Sequence, residues 1–227
     1  MTKLREITTG LRFPEGPVAM SDGSVLLVEI ERRTLTRVAA DGRNEVVAQM
    51  GGGPNGAAIG PDGKCYICNN GGFKWVEDEF CLRPVLQAED YSGGRIERVD
   101  LGTGRIETLY TDTANGPLRG PNDIVFDAHG GFYFTDFGKS RARERDWGGV
   151  YYAHTDGSLV REIIHPILTP NGVGLSPGGE RLYVAETETA RLWSWEIVAP
   201  GEIHKAPWPS PHGGTLVVGV GGHQRFD

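Results

Sequence analysis

The sequence predicts an all-β fold, and three observations carry that reading. Gly and Pro are unusually frequent, 34 and 14 of 227 residues, against a usual ~12% for the two together. They are spread along the whole length, which disfavours a helical bundle and fits neither collagen nor a disordered tract. The apolar residues, 38% of the total, fall in short runs bounded by turn residues. Finally, one pattern returns four times: a polar residue after Pro, a short apolar stretch, a turn with Gly, then an apolar strand.

Taking the polar residue of each repeat as position zero gives Glu15, Asn55, Asn122 and Asn171, separated by 40, 67 and 49 residues. Position plus eight is then Gly23, Gly63, Gly130 and Gly179, so the turn is in register every time. Strands are expected directly after it, at Val25 to Val28, Cys65 to Cys68, Phe132 to Thr135 and Leu182 to Ala185. A third strand follows in each unit, at Leu35 to Val38, Arg95 to Val99, Val150 to Tyr152 and Leu192 to Trp195. Asp-Gly and Thr-Gly turns then lead to further strands, including Arg105 to Leu109 and Leu159 to Ile163. Four short strands per unit describe propeller blades. The marked polar residue lies on the inner strand of each blade, so Glu15, Asn55, Asn122 and Asn171 are expected to converge on a central channel. Each could instead hydrogen-bond turn backbone at a blade edge, and for Asn55 alone the two readings are open.

Phe226-Asp227 falls where a fifth inner strand would begin. Residues 1–227 are therefore read as one propeller domain with its C-terminal blades missing, since closed propellers have typically four to eight blades. The stretch from Asn69-Asn70-Gly71-Gly72 to Ser92-Gly93-Gly94 is an insertion in the second blade, carrying Phe73, Trp75, Phe80 and Tyr91. It is read either as a cover over the channel mouth or as a short helix capping the blade edge. Asn69 and Asn70, at its start, are expected to line the pocket.

Several function classes are excluded or disfavoured. A net charge of -7 offers a phosphate backbone no long-range attraction, so nucleic acid is not an expected partner. No apolar run approaches the ~20 residues of a membrane span, and the charged start lacks a signal-peptide core, which gives a cytoplasmic expectation. Three cysteines are too few for a disulfide framework, and an offset of three on a strand sends Cys65 and Cys68 to opposite faces. Gly51 to Gly56 matches the spacing of a dinucleotide loop but is followed by a strand rather than a helix. The six histidines show no paired metal spacing, and no Gly-x-Ser-x-Gly elbow is present. Trp193, Trp195, Tyr151 and Tyr152 are read as blade packing.

Four segments in order, Phe13-Pro14-Glu15-Gly16-Pro17, Gly120-Pro121-Asn122-Asp123, Pro170 to Pro177 and Arg225-Phe226-Asp227, resemble the SMP-30/gluconolactonase/luciferin-regenerating family of six-bladed propellers. On this resemblance the chain covers about four blades and the start of a fifth. The resemblance implies a divalent metal held by Glu15, Asn171 and Asp227 with Asn122 nearby. Two carboxylates and two amide carbonyls are hard oxygen donors, which suits Ca2+ first, with Mg2+, Mn2+ or Zn2+ as other choices. The activity implied is hydrolysis of a sugar lactone, with Asp227 taking the proton of the attacking water and Asn122 positioning water or substrate. Arg119, Asn55 and Asn69 are candidate substrate contacts, although a surface salt bridge explains Arg119 equally well. The rival readings are a non-catalytic binding propeller and a related enzyme acting on another ester.

Overall fold

A computed structural model describes residues 4–222 and 224–227; His223 lies outside them. The described residues hold strands and turns and no helix. The first sheet is β1 (Pro14–Ala19), β2 (Val25–Glu29), β3 (Thr34–Val38) and β4 (Asn44–Gln49), paired antiparallel in that order. In the second unit β5 (Pro54–Ile59) and β6 (Cys65–Asn69) are followed by a separate hairpin, β7 (Phe73–Glu77) and β8 (Leu82–Gln87). The sheet then resumes with β9 (Arg95–Val99) and β10 (Ile106–Tyr110), so that its order is β5-β6-β9-β10.

After a two-stranded ribbon, β11 (Asp112–Thr113) and β12 (Gly116–Pro117), come β13 (Pro121–Phe126), β14 (Gly131–Asp136), β15 (Gly148–His154) and β16 (Val160–Ile167). The last sheet has β17 (Pro170–Leu175), β18 (Arg181–Glu186) and β19 (Arg191–Ala199), with β20 (Glu202–Ile203) and β21 (Thr215–Gly219) both pairing with β19. The expected strands are thus present. The insertion is a hairpin, not a helix: β7 and β8 pair antiparallel, and Phe73 and Trp75 are half-buried on either side of exposed Lys74 with the period of a strand.

Strand alternation sends the two faces of the second and of the third sheet into two different cores. Cys65 and Ile67 pack with Val28, Leu35 and Met50 between the first and second sheets. Tyr66 and Cys68 pack with Phe132, Phe134 and Ile124 between the second and third. Tyr133 and Tyr152 pack with Leu182, Val184 and Trp195 between the third and fourth. The two cysteines therefore face opposite ways, and the aromatic residues serve packing. Phe134 and Tyr151 stack at 5.1 Å with planes 17° apart. Face-to-face packing of successive sheets sets β1, β5, β13 and β17 side by side as a row of inner strands.

Candidate functional site

Each inner strand is built by the same device. Its Pro pairs with the last polar residue of the second strand, Pro14 with Glu29, Pro54 with Asn69, Pro121 with Asp136 and Pro170 with Glu186. The register then slips: Asn55, Asn122 and Asn171 sit in the irregularity between Pro and the next paired residue, whereas Glu15 still pairs with Val28 and the slip follows it. Glu29, Asn69, Asp136 and Glu186 are buried and grip the chain entering the inner strand. Glu29 accepts from the Arg12 N–H at 2.7 Å, Asn69 from Gly53 at 2.8 Å, and Glu186 from Leu168 at 3.0 Å. Asp136 accepts from the N–H groups of Arg119 and Gly120, both at 2.7 Å, and of Gly138 at 2.9 Å.

The residue after the marked one is Gly16, Gly56 and Gly172 in three repeats. A Cβ on Gly16 would lie 2.6 Å from the Ala57 nitrogen, and one on Gly56 2.4 Å from the Asn122 oxygen. Absence of a side chain is what lets adjacent inner strands close up. The third repeat has Asp123 there instead, whose carboxylate accepts from the Val173 N–H at 2.8 Å and ties β13 to β17.

Glu15, Asn55, Asn122, Asn171 and Asp227 converge. They line both an outer cavity of about 490 Å3 and an inner channel of about 320 Å3, and so form the ring between the two. Asn171 donates from its Nδ2 to Asp227 Oδ1 and, at 3.1 Å, to Thr187 Oγ1, and its Oδ1 has no protein donor among the described residues. Burial pushes the Glu15 carboxyl up to about 7, and the nearby Asp227 and Asp123 add to this while the Gly16 N–H opposes it. Asp123 is likewise raised by burial, with its hydrogen bonds to Val173 and Ile124 working the other way.

The outer cavity is also lined by the apolar side chains of Phe13, Ile30, Phe73, Val85, Leu86 and Phe137. At its rim Glu188 lies 3.5 Å from Arg145 and 3.6 Å from Arg225.

Two expected contacts lie elsewhere. Asn69 ends the second strand of its blade and is fully buried behind the cavity. It accepts from Gly53 and Gly71 and donates to Gly51 and Glu97, so its amide is committed to the scaffold. Asn70 is buried too, accepting from Gly72 and Lys139. Arg119 lines a separate cleft of about 630 Å3 with Trp147 and His165, because Asp136 fixes its backbone and the side chain leaves outward. Arg145 lines both that cleft and the outer cavity, and nothing in its local sequence announces it. Asp123 was missed, although its place in a position that the other repeats give to glycine, Gly16, Gly56 and Gly172, marks it in the sequence.

The donors of the ring are oxygens throughout, which fits a hard divalent cation. Among the described residues no three His, Cys, Asp or Glu side chains form a ligand cluster, so an ion here would rest on Glu15, Asp227 and asparagine oxygens together. Burial first, and Asp227 and Asp123 after it, hold the Glu15 carboxyl up to about 7, so positive charge placed beside it would favour its ionised form.

The chain is 31% identical over 215 residues to the lactonase drp35 of Staphylococcus haemolyticus, covering 94% of this chain and 58% of that protein. It is 25% identical over 224 residues to a gluconolactonase of Zymomonas mobilis, covering 88% and 56%. The chain thus spans little more than half the length of these curated relatives. A solved gluconolactonase from Xanthomonas campestris superposes with a TM-score of 0.67 at 21% identity, over 86% of this chain and 61% of that one, and shows the same propeller fold. The family model described as SMP-30/Gluconolactonase/LRE-like region matches residues 13–208, and the chain belongs to that family.

Proposed function

We propose that this chain carries the site of a metal-dependent lactonase that opens a sugar lactone by hydrolysis. The observation that supports it is the ring itself: two carboxylates and three amides drawn from four successive blades and from Asp227 onto the floor of one cavity. Relatives named lactonase and gluconolactonase point the same way.

Glu15, Asn171 and Asp227 would hold the ion, Ca2+ by preference for an all-oxygen set. When bound, it supplies Lewis-acid polarisation of the lactone carbonyl. Asn122, buried at the ring, orients water or a substrate hydroxyl, and Asn55 beside it offers a second amide. Asp227, at the exposed mouth and hydrogen-bonded to Asn171, takes the water's proton. Arg145, with Glu188, reaches substrate oxygens at the rim in the part first assigned to Arg119.

A lactone or other ester with an apolar substituent is the second reading, supported by Phe13, Phe73 and Leu86 in the lining of the same cavity. The same proposal places the chain in the cytoplasm, in keeping with free thiols at Cys65, Cys68 and Cys81. No helix among the described residues is long and apolar enough to cross a membrane. The test is proton release on lactone opening, measured with and without added Ca2+ after chelation. Turnover of gluconolactone that needs the ion and fails in Glu15→Gln supports the reading. Ion-independent turnover, or none, refutes it.

A further inference from the structure

The β7–β8 hairpin lies across the outer cavity and contributes Phe73, Pro84, Val85 and Leu86 to its wall. It leaves the sheet between β6 and β9 and is tied on both sides. Towards the first blade, Arg12 donates to Glu77 at 2.7 and 2.9 Å, and Trp75 packs on Phe13 with ring centres 5.1 Å apart. That ion pair is bidentate and lies at the surface, and Arg12 also pairs with Glu31, so this tie is a solvated charge network.

Towards the third blade the tie is of another kind. Lys139 is 1% exposed, in the loop between β14 and β15. Its Nζ donates to Asn70 Oδ1 at 3.0 Å and to the Gly72 carbonyl at 2.9 Å, immediately before β7. It lies 3.8 Å from the centre of the Phe73 ring and 5.5 Å from that of Tyr91. The Gly72 carbonyl also accepts from the Ala88 N–H, so both ends of the hairpin meet at the atom that Lys139 holds. Beside it Gln87 donates from its N–H to the Ser140 carbonyl at 2.8 Å.

A buried amine has no water to replace a lost partner, which makes leaving these acceptors costly. Burial lowers the Lys139 ammonium to about 7, with Asp136 and Asp146 opposing, so its stability rests on these few contacts. None of the catalytic proposals above uses it.

We propose that Lys139 is a positioning residue: by holding Asn70, Gly72 and the face of Phe73, it fixes the β7–β8 hairpin as a rigid wall of the substrate cavity. The effect on substrate rests on the lactonase reading, whereas the fixing of the hairpin does not. A rigid wall is prepaid, so its loss weakens binding more than it slows chemistry.

The test has two arms. Hydrogen exchange of segment 73–88 is measured in the wild-type chain and in Lys139→Met. The wild-type segment is expected to exchange as slowly as β6, and the variant about tenfold faster or more there, with β1 and β13 unchanged. Equal rates in the two proteins, or a wild-type segment that exchanges freely, overturn the proposal. In the second arm Lys139→Met and Phe73→Ala are expected to raise KM about tenfold with kcat within about a factor of two. A loosened hairpin with unchanged KM overturns the positioning role. Lys139→Gln, which keeps a donor for Gly72, carries the same readouts if the Met variant does not fold. If the chain opens no lactone at all, the exchange arm still decides whether Lys139 fixes the hairpin.

Discussion

Replacing Gly56 by alanine tests whether the close approach of inner strands is what assembles the site. Gly56 lies outside the left-handed region, so alanine carries no dihedral penalty and the cost is steric alone. Its Cβ would stand 2.4 Å from the Asn122 carbonyl oxygen and 2.7 Å from the Asp123 Cα. Both are backbone atoms and cannot rotate away, so β5 and β13 must part by about 1 Å to reach ordinary contact. Overpacking of this kind costs about 1–3 kcal/mol. At about 2–4 °C per kcal/mol for a chain of this size, Tm is expected to fall by about 2–12 °C. A displacement of about 1 Å at Asn122 is also expected to cost about a hundredfold in turnover. Gly174→Ala is the control, since its Cβ meets nothing within 4 Å on the inner strand β17. It is expected to be neutral or to stabilise by about 0.4–1 kcal/mol through the unfolded chain. Calorimetry and lactone-opening rates on both variants read this out. An equal fall in both variants, or no fall for Gly56→Ala, refutes the reasoning.

Glu15→Gln is expected to abolish Ca2+ binding by titration calorimetry while leaving Tm of the metal-free chain nearly unchanged, since among the described residues its side chain holds up no neighbouring strand; unchanged affinity removes Glu15 from the ion site. Asn122→Ala is expected to lower kcat more than Ca2+ affinity, and a proportional loss of both would make Asn122 a ligand. His212 packs edge-on to Trp193 at 4.5 Å with neither ring nitrogen hydrogen-bonded, and burial lowers its pKa. The unfolded chain therefore takes up this proton first, so stability is present above the usual ~6.5 and is lost as the pH falls through the folded value. Tm measured between pH 7.5 and 5 is expected to fall less in His212→Phe than in the wild type, and parallel curves would exclude His212 as the cause.

Much of the fold was legible because the repeat keeps a fixed register. The Gly turn eight residues after Glu15, Asn55, Asn122 and Asn171 placed the first two strands of every blade. Strand alternation alone placed Cys65 and Cys68 in different cores. A second register went unread. The residue 14 positions after Glu15, Asn55 and Asn122 is Glu29, Asn69 and Asp136, and 15 after Asn171 comes Glu186. Seen in that row, Asn69 is a scaffold residue rather than a pocket residue. The hairpin was hidden because its turn has no glycine; Asp78 closes it, accepting from the N–H groups of Phe80 and Cys81 at 3.0 and 3.1 Å. Arg119 was misplaced because the direction of an exposed side chain depends on backbone that Asp136, 17 residues away, holds.

The two registers also separate scaffold from site by a physical criterion. Glu29, Asp136 and Glu186 are buried carboxylates, yet each is surrounded by donors: N–H groups of the entering chain, the Thr36 hydroxyl at 2.7 Å from Glu29, and the Trp193 indole at 3.0 Å from Glu186. Matched in this way, a carboxylate can be buried at tolerable cost and serves to fix a strand. Glu15 lies one residue beyond Pro14, the partner of Glu29 in the sheet, and its surroundings are the reverse. It faces Asp227 and Asp123, and the Gly16 N–H is the opposing contact. Folding does not bring like charges together across a ring of amide oxygens for stability, since their repulsion works against the compact state. The cation proposed above would relieve the mismatch, which sits among the residues that line both the outer cavity and the inner channel. Glu15 and Glu29 both hold fixed positions in the repeat, and the absence of matching donors around one and their presence around the other separate site from scaffold.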